Sequence, residues 1–168
     1  MKVLPWQAFH KATSCNRPFR LASLDVGSKH VGVAVADESL TLSSPLRSFD
    51  RVSPRMSPAS IDKLALSLQN LSSERKIAGF VVGLPLFETG ELTPLSREIM
   101  ELVEKLSVIS DLNNDECMCT FWNECNTTVR ARSIISKFSR RRSVLVKNKD
   151  TVAASIILQS YLDATQEL

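Results

Sequence analysis

The chain has little of what would make it secreted, membrane-spanning or low in complexity. Four cysteines stand in 168 residues: Cys15, Cys117, Cys119 and Cys125. No secretory signal pattern precedes them, which reads as a reducing compartment and free thiols, not a disulfide framework. Cys117-x-Cys119 lacks the two-residue spacing of a zinc knuckle, and the two histidines, His10 and His30, are too isolated to complete a zinc site. No apolar run approaches the ~20 residues that cross a bilayer, so neither a spanning helix nor a membrane partner is expected. Internal repeats and low-complexity tracts are also missing. Acidic residues are absent from two stretches. The first twenty residues carry Lys2, Lys11, Arg17 and Arg20 with no acid. That pattern leaves two readings open, an N-terminal arm over 1–19 or a short organelle-targeting segment. From Cys125 to Lys149 there are eight Lys or Arg and again no acid. A one-sided basic tract of this kind points to a polyanion such as nucleic acid, although charge runs are more often a solvated face.

What is present fits one domain over 20–165, with an ordinary hydrophobic content of 43%. Arg20–Val26 and Val31–Asp37 read as paired strands around a glycine-containing turn. Thr41–Phe49 adds a third, with Pro45 marking an edge or a bulge. Ser57-Pro58 and Thr93-Pro94 each give a cap followed by proline at the first helical position. Ile61, Leu64, Leu68 and Leu71 stripe the first of these helices, and Ile99, Leu102, Val103 and Leu106 the second. Ala78–Val82 is a fully apolar, hence central, strand. Cys117–Trp122 is another strand, Asn126–Phe138 a helix, and Thr151–Leu162 a last helix with Val152, Ile156, Ile157 and Tyr161 on one side. The expected fold is α/β: a five-stranded mixed sheet, three antiparallel strands then parallel ones, with helices on both faces.

One residue breaks the apolar pattern. Asp25 lies inside the run Leu21–Val26, just before Gly27-Ser28-Lys29. A buried carboxylate is costly unless a cation or donors meet it. Asp25 is therefore a candidate metal ligand or catalytic acid, unless it merely accepts turn N–H groups. Two further acids fall where this layout would bring them near Asp25. Glu124 follows the strand Cys117–Trp122, and Asp150 opens the last helix, whose N-terminus favours an anion. Taken singly, each reads as an ordinary acid at a helix start. Three converging carboxylates would repel unless divalent cations neutralise them, and Mg²⁺ or Mn²⁺ suits oxygen ligands. Two such ions support phosphodiester hydrolysis. Lys29 is a candidate phosphate contact on the turn. Arg130, Arg132, Arg140, Arg141, Arg142, Lys147 and Lys149 in the basic tract are candidate contacts to a nucleic-acid backbone. Trp6 and Trp122 offer faces for base stacking, with core packing the commoner role for Trp122.

Four segments in order resemble one family. L-D-V-G-S-K-H-V-G-V-A-V-A, from Leu24, is similar to the opening Asp-x-Gly-x-x-x-x-Gly-x-Ala motif of the YqgF family, the RuvX-like Holliday junction resolvases. F-V-V-G-L-P-L with Gly90 resembles its second motif. W-N-E-C-N-T-T stands where the family has Asp-Glu-Arg-x-Ser/Thr-Thr, with Thr127 and Thr128 as the hydroxyl pair. K-D-T-V-A-A-S-I-I-L-Q-S-Y-L resembles its C-terminal Asp-plus-alanine helix. The resemblance covers about Arg20 to Leu162. It implies a ribonuclease H-like fold and a metal-dependent nuclease acting on small-subunit ribosomal RNA precursor or branched DNA, as a monomer or homodimer. It implies that Asp25, Glu124 and Asp150 are the catalytic and metal-binding acids, with Asp25 bridging two ions. The compartment expected is cytoplasmic, with an organelle as the alternative.

Two positions depart from the family pattern. Asn123 replaces the motif's Asp and loses a charge, while Cys125 replaces its Arg and loses a guanidinium that can clamp phosphate bidentately. The main expectation is a working nuclease. The alternative is a catalytically weakened or inactive nucleic-acid-binding relative that keeps the fold. A sugar-kinase-like use of Asp-x-Gly on ATP would need two such domains, for which the chain is too short.

Overall fold

Among the described residues, a sheet of six strands separates two apolar layers. The computed structural model describes residues 1–14, 19–51, 57–109, 117–124 and 149–166. In chain order the elements are β1 (Lys2–Val3), α1 (Trp6–Ser14), β2 (Arg20–Val26), β3 (His30–Ala36), β4 (Ser43–Asp50), α2 (Pro58–Arg75), β5 (Ile77–Leu84), α3 (Pro94–Val108), β6 (Met118–Asn123) and α4 (Lys149–Thr165). The strand order is β1-β6-β5-β2-β3-β4. β2, β3 and β4 form an antiparallel meander, while β2–β5, β5–β6 and β6–β1 pair in parallel.

The mixed sheet follows the expectation, with one strand more. Lys2–Val3 is too short to show a period, and only its parallel pairing with Met118 and Cys119 makes it a strand. Ahead of β2, Trp6–Ser14 is helical and buries Phe9 completely. The local punctuation holds. Ser57 caps α2 by accepting from the Ser60 N–H, Thr93 caps α3 by accepting from the Ser96 N–H, and proline follows each cap. Pro45 proves to be on an edge and beside an irregularity, because β4 ends the sheet and the β3–β4 register shifts between Val33 and Ala34. The stripe of the last helix needs correction. Ala154, Ile157, Leu158, Tyr161 and Leu162 are buried, whereas Val152 and Ile156 are only half-buried.

Alternation along the strands sends successive side chains to opposite layers. Leu24, Val26, Val31, Val33, Phe80 and Val82 pack with α2 and α3 on one face. Leu21, Ala36, Val81 and Met118 pack with α1 and α4 on the other. There Trp122 meets Trp6 and Tyr161 edge-on, at ring-centre distances of 6.2 and 5.3 Å. Core packing is thus the role seen for both tryptophans. α4 is also tied to the sheet by polar groups. The hydroxyls of Ser23 and Ser43 donate to the carbonyls of Ala154 and Ser155, each at 2.6 Å. The helix therefore has a fixed position over β2, β3 and β4. The predicted helix Asn126–Phe138 and the basic loop Arg140–Arg142 lie outside the described residues.

Candidate active site

The candidate site lies where the parallel strands β2, β5 and β6 end together, the usual place for a site in an open α/β sheet. Asp25 is the next-to-last residue of the central strand β2. Directly opposite it on β3 is Gly32. On the other side, β2 and β5 run in register through Leu24↔Val82, which puts Gly83 one step further, beside Asp25. Residues side by side in a sheet point to the same face. Asp25 is therefore flanked by a residue without a side chain on both neighbouring strands.

Both glycines leave room for an acid. A Cβ on Gly32 would run into the backbone carbonyl of Asp150, so only glycine lets the first turn of α4 come down onto β3. A Cβ on Gly83 would strike the Glu124 carboxylate and the Ile157 side chain. The two clearances place Asp150 and Glu124 over the same face of the sheet as Asp25, one on each side of it. Gly83 is the glycine of the F-V-V-G-L-P-L segment. Gly32 is the second glycine of the Asp-x-Gly-x-x-x-x-Gly-x-Ala segment, but the sequence does not show that the first turn of α4 lands on it.

Electrostatics report the same convergence. Burial raises Asp25 to about 6, with the Asp150 charge adding to the rise and Lys149 opposing it. Burial likewise raises Glu124 to about 7, with the Asp25 charge as the second cause. Asp25 is thus the central member of the trio, within electrostatic reach of both other acids. Lys149 stands next to Asp150 at the start of α4, exposed, and close enough to stabilise ionised Asp25. Lys29 is exposed on the turn immediately after β2. Asn123 ends β6, paired with Leu84.

The donor set suits a hard divalent cation in kind, since it consists of carboxylate oxygens at a half-buried surface. Among the described residues, no three carboxylate, imidazole or thiol groups are already drawn together at ion-holding spacing. A divalent cation is the kind of group that offsets the mutual repulsion of three such carboxylates. Arg130, Arg132, Arg140, Arg141, Arg142 and Lys147 lie outside the described residues, as do Cys125, Thr127 and Thr128. Cys117 and Cys119 are free thiols, and burial pushes Cys119 up to about 12. None of the described helices is long and apolar enough to cross a membrane.

Comparison with known proteins gives a consistent set of relatives. A family model described as RuvX, Holliday junction resolvase, matches residues 19–164. A protein of Rhodobacter capsulatus named "Putative pre-16S rRNA nuclease" is 33% identical over 160 residues, 94% of this chain and 91% of its own. One of the same name from Chloroflexus aggregans is 33% identical over 144 residues, 86% of this chain and 93% of its own. Among solved structures, RuvC of Thermus thermophilus in complex with Holliday junction substrate aligns with a TM-score of 0.52 at 12% identity, over 88% of this chain and 96% of that one. The fowlpox virus Holliday junction resolvase aligns with a TM-score of 0.51 at 14% identity, over 88% and 99%. At such identities these two structures establish the fold alone, which is the ribonuclease H-like α/β arrangement expected from the sequence.

Proposed function

This chain belongs to the RuvX family of Holliday junction resolvases, and from that premise we propose that it is a Mg²⁺- or Mn²⁺-dependent nuclease that hydrolyses phosphodiester bonds in precursor small-subunit ribosomal RNA. The observation that carries the reading is Asp25 set between two glycines, with Glu124 and Asp150 admitted to its face by them. The choice of RNA follows the relatives that share a third of their residues over nearly their whole length. A branched DNA junction is the second reading, favoured by the description of the family itself.

Asp25, Glu124 and Asp150 would hold the cations, with Asp25 between the other two and so placed to serve both. When bound, the ions would activate water and stabilise the leaving oxygen. The chain's own residues do the rest. Glu124 would hold an ion or orient the attacking water through its carboxylate oxygens. Lys29 and Lys149, both exposed at this end of the sheet, meet the phosphates on either side of the scissile bond. The basic tract, Arg130 through Lys147, neutralises the flanking backbone. Gly32 and Gly83 carry no side chain beside Asp25, and the space they leave admits the first turn of α4 and the Glu124 carboxylate. Asn123 and Cys125 lower the charge available to grip substrate but leave all three acids in place, which supports a working enzyme over an inactive relative.

Cleavage of a precursor ribosomal RNA fragment and of a four-way DNA junction, run side by side with Mg²⁺, with Mn²⁺ and with chelator, tests this. Metal-dependent cutting of the RNA is the expected result. Cutting of the junction alone selects the second reading, and metal-independent cutting overturns the mechanism.

A further inference from the structure

The turn that follows Asp25 is held by a residue well separated from it in sequence. Arg51 lies just past β4, next to Asp50, which pairs with His30 across the β3–β4 ladder. Its side chain is only 3% exposed although it carries a permanent charge. Nη1 donates to the Gly27 carbonyl at 2.9 Å, and Nη2 donates to Oε2 of Glu98 on α3 at 3.1 Å. The Arg51 backbone N–H donates to the Lys29 carbonyl at 2.6 Å. One residue thus engages the first and last carbonyls of the 27–29 turn and ties that turn to a helix on the opposite layer.

Stability alone gives little reason for a charge there. A buried ion pair is often no better for the fold than apolar groups of similar volume. What the pair does supply is geometry. A guanidinium offers separate nitrogens on a rigid planar fork, so it can meet Gly27 and Glu98 at once, whereas a lysine ammonium is a single point. The element so fixed begins two residues after Asp25 and carries Lys29, which is exposed on the turn between β2 and β3.

We propose that Arg51 is a positioning residue for substrate binding: it locks the 27–29 turn to α3 and so fixes Lys29 where a substrate phosphate arrives beside Asp25. The proposal rests on the nuclease reading, but its test separates the two.

The test uses Arg51→Lys, Lys29→Ala and the double variant, with affinity for a structured precursor RNA fragment measured in chelator and amide exchange measured alongside. In Arg51→Lys the Gly27 amide, bonded to the His30 carbonyl at 2.9 Å, exchanges at least tenfold faster, while the β5 amides keep their native rates. Affinity falls about fivefold in Arg51→Lys, and the double variant binds no more weakly than Lys29→Ala, because Arg51 acts through Lys29. Native exchange at Gly27, or an equal loss of affinity with and without Lys29, overturns the proposal. If Arg51→Lys does not fold, Glu98→Ala releases the α3 tether from its half-exposed end and raises Gly27 exchange less strongly; no rise overturns it. A native protein that binds but never cuts contradicts the nuclease reading and leaves these binding and exchange results standing.

Discussion

Asp25 shows why an acid in an apolar strand merits explanation. Two of its causes of discomfort are built in: burial, and the Asp150 charge beside it. Because the native values of Asp25 (about 6) and Glu124 (about 7) lie above their ordinary ones, the folded chain binds more protons than the unfolded chain between about pH 4 and 7. These two groups therefore favour the fold at low pH and cease to do so as pH rises through 6 to 7. Asp25→Asn in chelator should raise stability at pH 8 by on the order of 1–2 kcal/mol, and by much less at pH 4. Thermal melts at the two pH values check this; a variant less stable than native at pH 8 would contradict it. The same carboxylates should make the native melting temperature rise with added Mn²⁺ by mass action, an effect lost in Asp25→Asn. At the departures, Asn123→Asp with Cys125→Arg should raise the cleavage rate about tenfold by restoring a charge-assisted grip. An unchanged rate would show that other residues already supply it.

The elements explain how the acids meet. Local signals were readable from the sequence alone: Ser57-Pro58 and Thr93-Pro94 start helices because a capping hydroxyl and a fixed φ act within four residues. Asp25 was readable because it broke a pattern. Gly32 was not, because its importance depends on where α4 lands, and that contact joins residues far apart in sequence. The buried face of α4 departs from its apolar stripe for a related reason. The helix also buries Thr151, Ala154 and Thr165, small residues suited to close contact with the glycine-bearing sheet, so apolarity alone did not mark its inner face. Gly32→Ala tests the arrangement. Its methyl group meets backbone, not a flexible side chain, so the first turn of α4 must shift. We expect a loss of roughly 1–3 kcal/mol in denaturant unfolding together with a larger fall in cleavage than stability explains, since Asp150 moves. Full activity in a folded Gly32→Ala would argue that Asp150 need not stand where α4 puts it.

For the molecule as a whole, one sheet separates two tasks. The face toward α2 and α3 is a continuous apolar layer, and the face toward α1 and α4 gives way at the strand ends to the three acids. The basic tract from Cys125 to Lys149 lies in sequence between Glu124 and Asp150. That connection was legible as chemistry, through eight cations and no acid, but its path cannot be read from charge, because cations impose no periodicity. Neutralising Arg140, Arg141 and Arg142 together should weaken nucleic-acid binding and lower the slope of log affinity against log salt by about two. An unchanged slope would remove the tract from the interface.

The most direct measurement is single-turnover cleavage of a precursor ribosomal RNA fragment by native protein and by Asp25→Asn, each with Mn²⁺ and with chelator. Folding and RNA affinity are verified for both proteins beforehand. The expected result is cutting by the native protein with Mn²⁺ only, and a loss of at least a thousandfold in Asp25→Asn at undiminished affinity, roughly 4 kcal/mol of transition-state stabilisation. Cutting by Asp25→Asn at the native rate, or by the native protein in chelator, would contradict it.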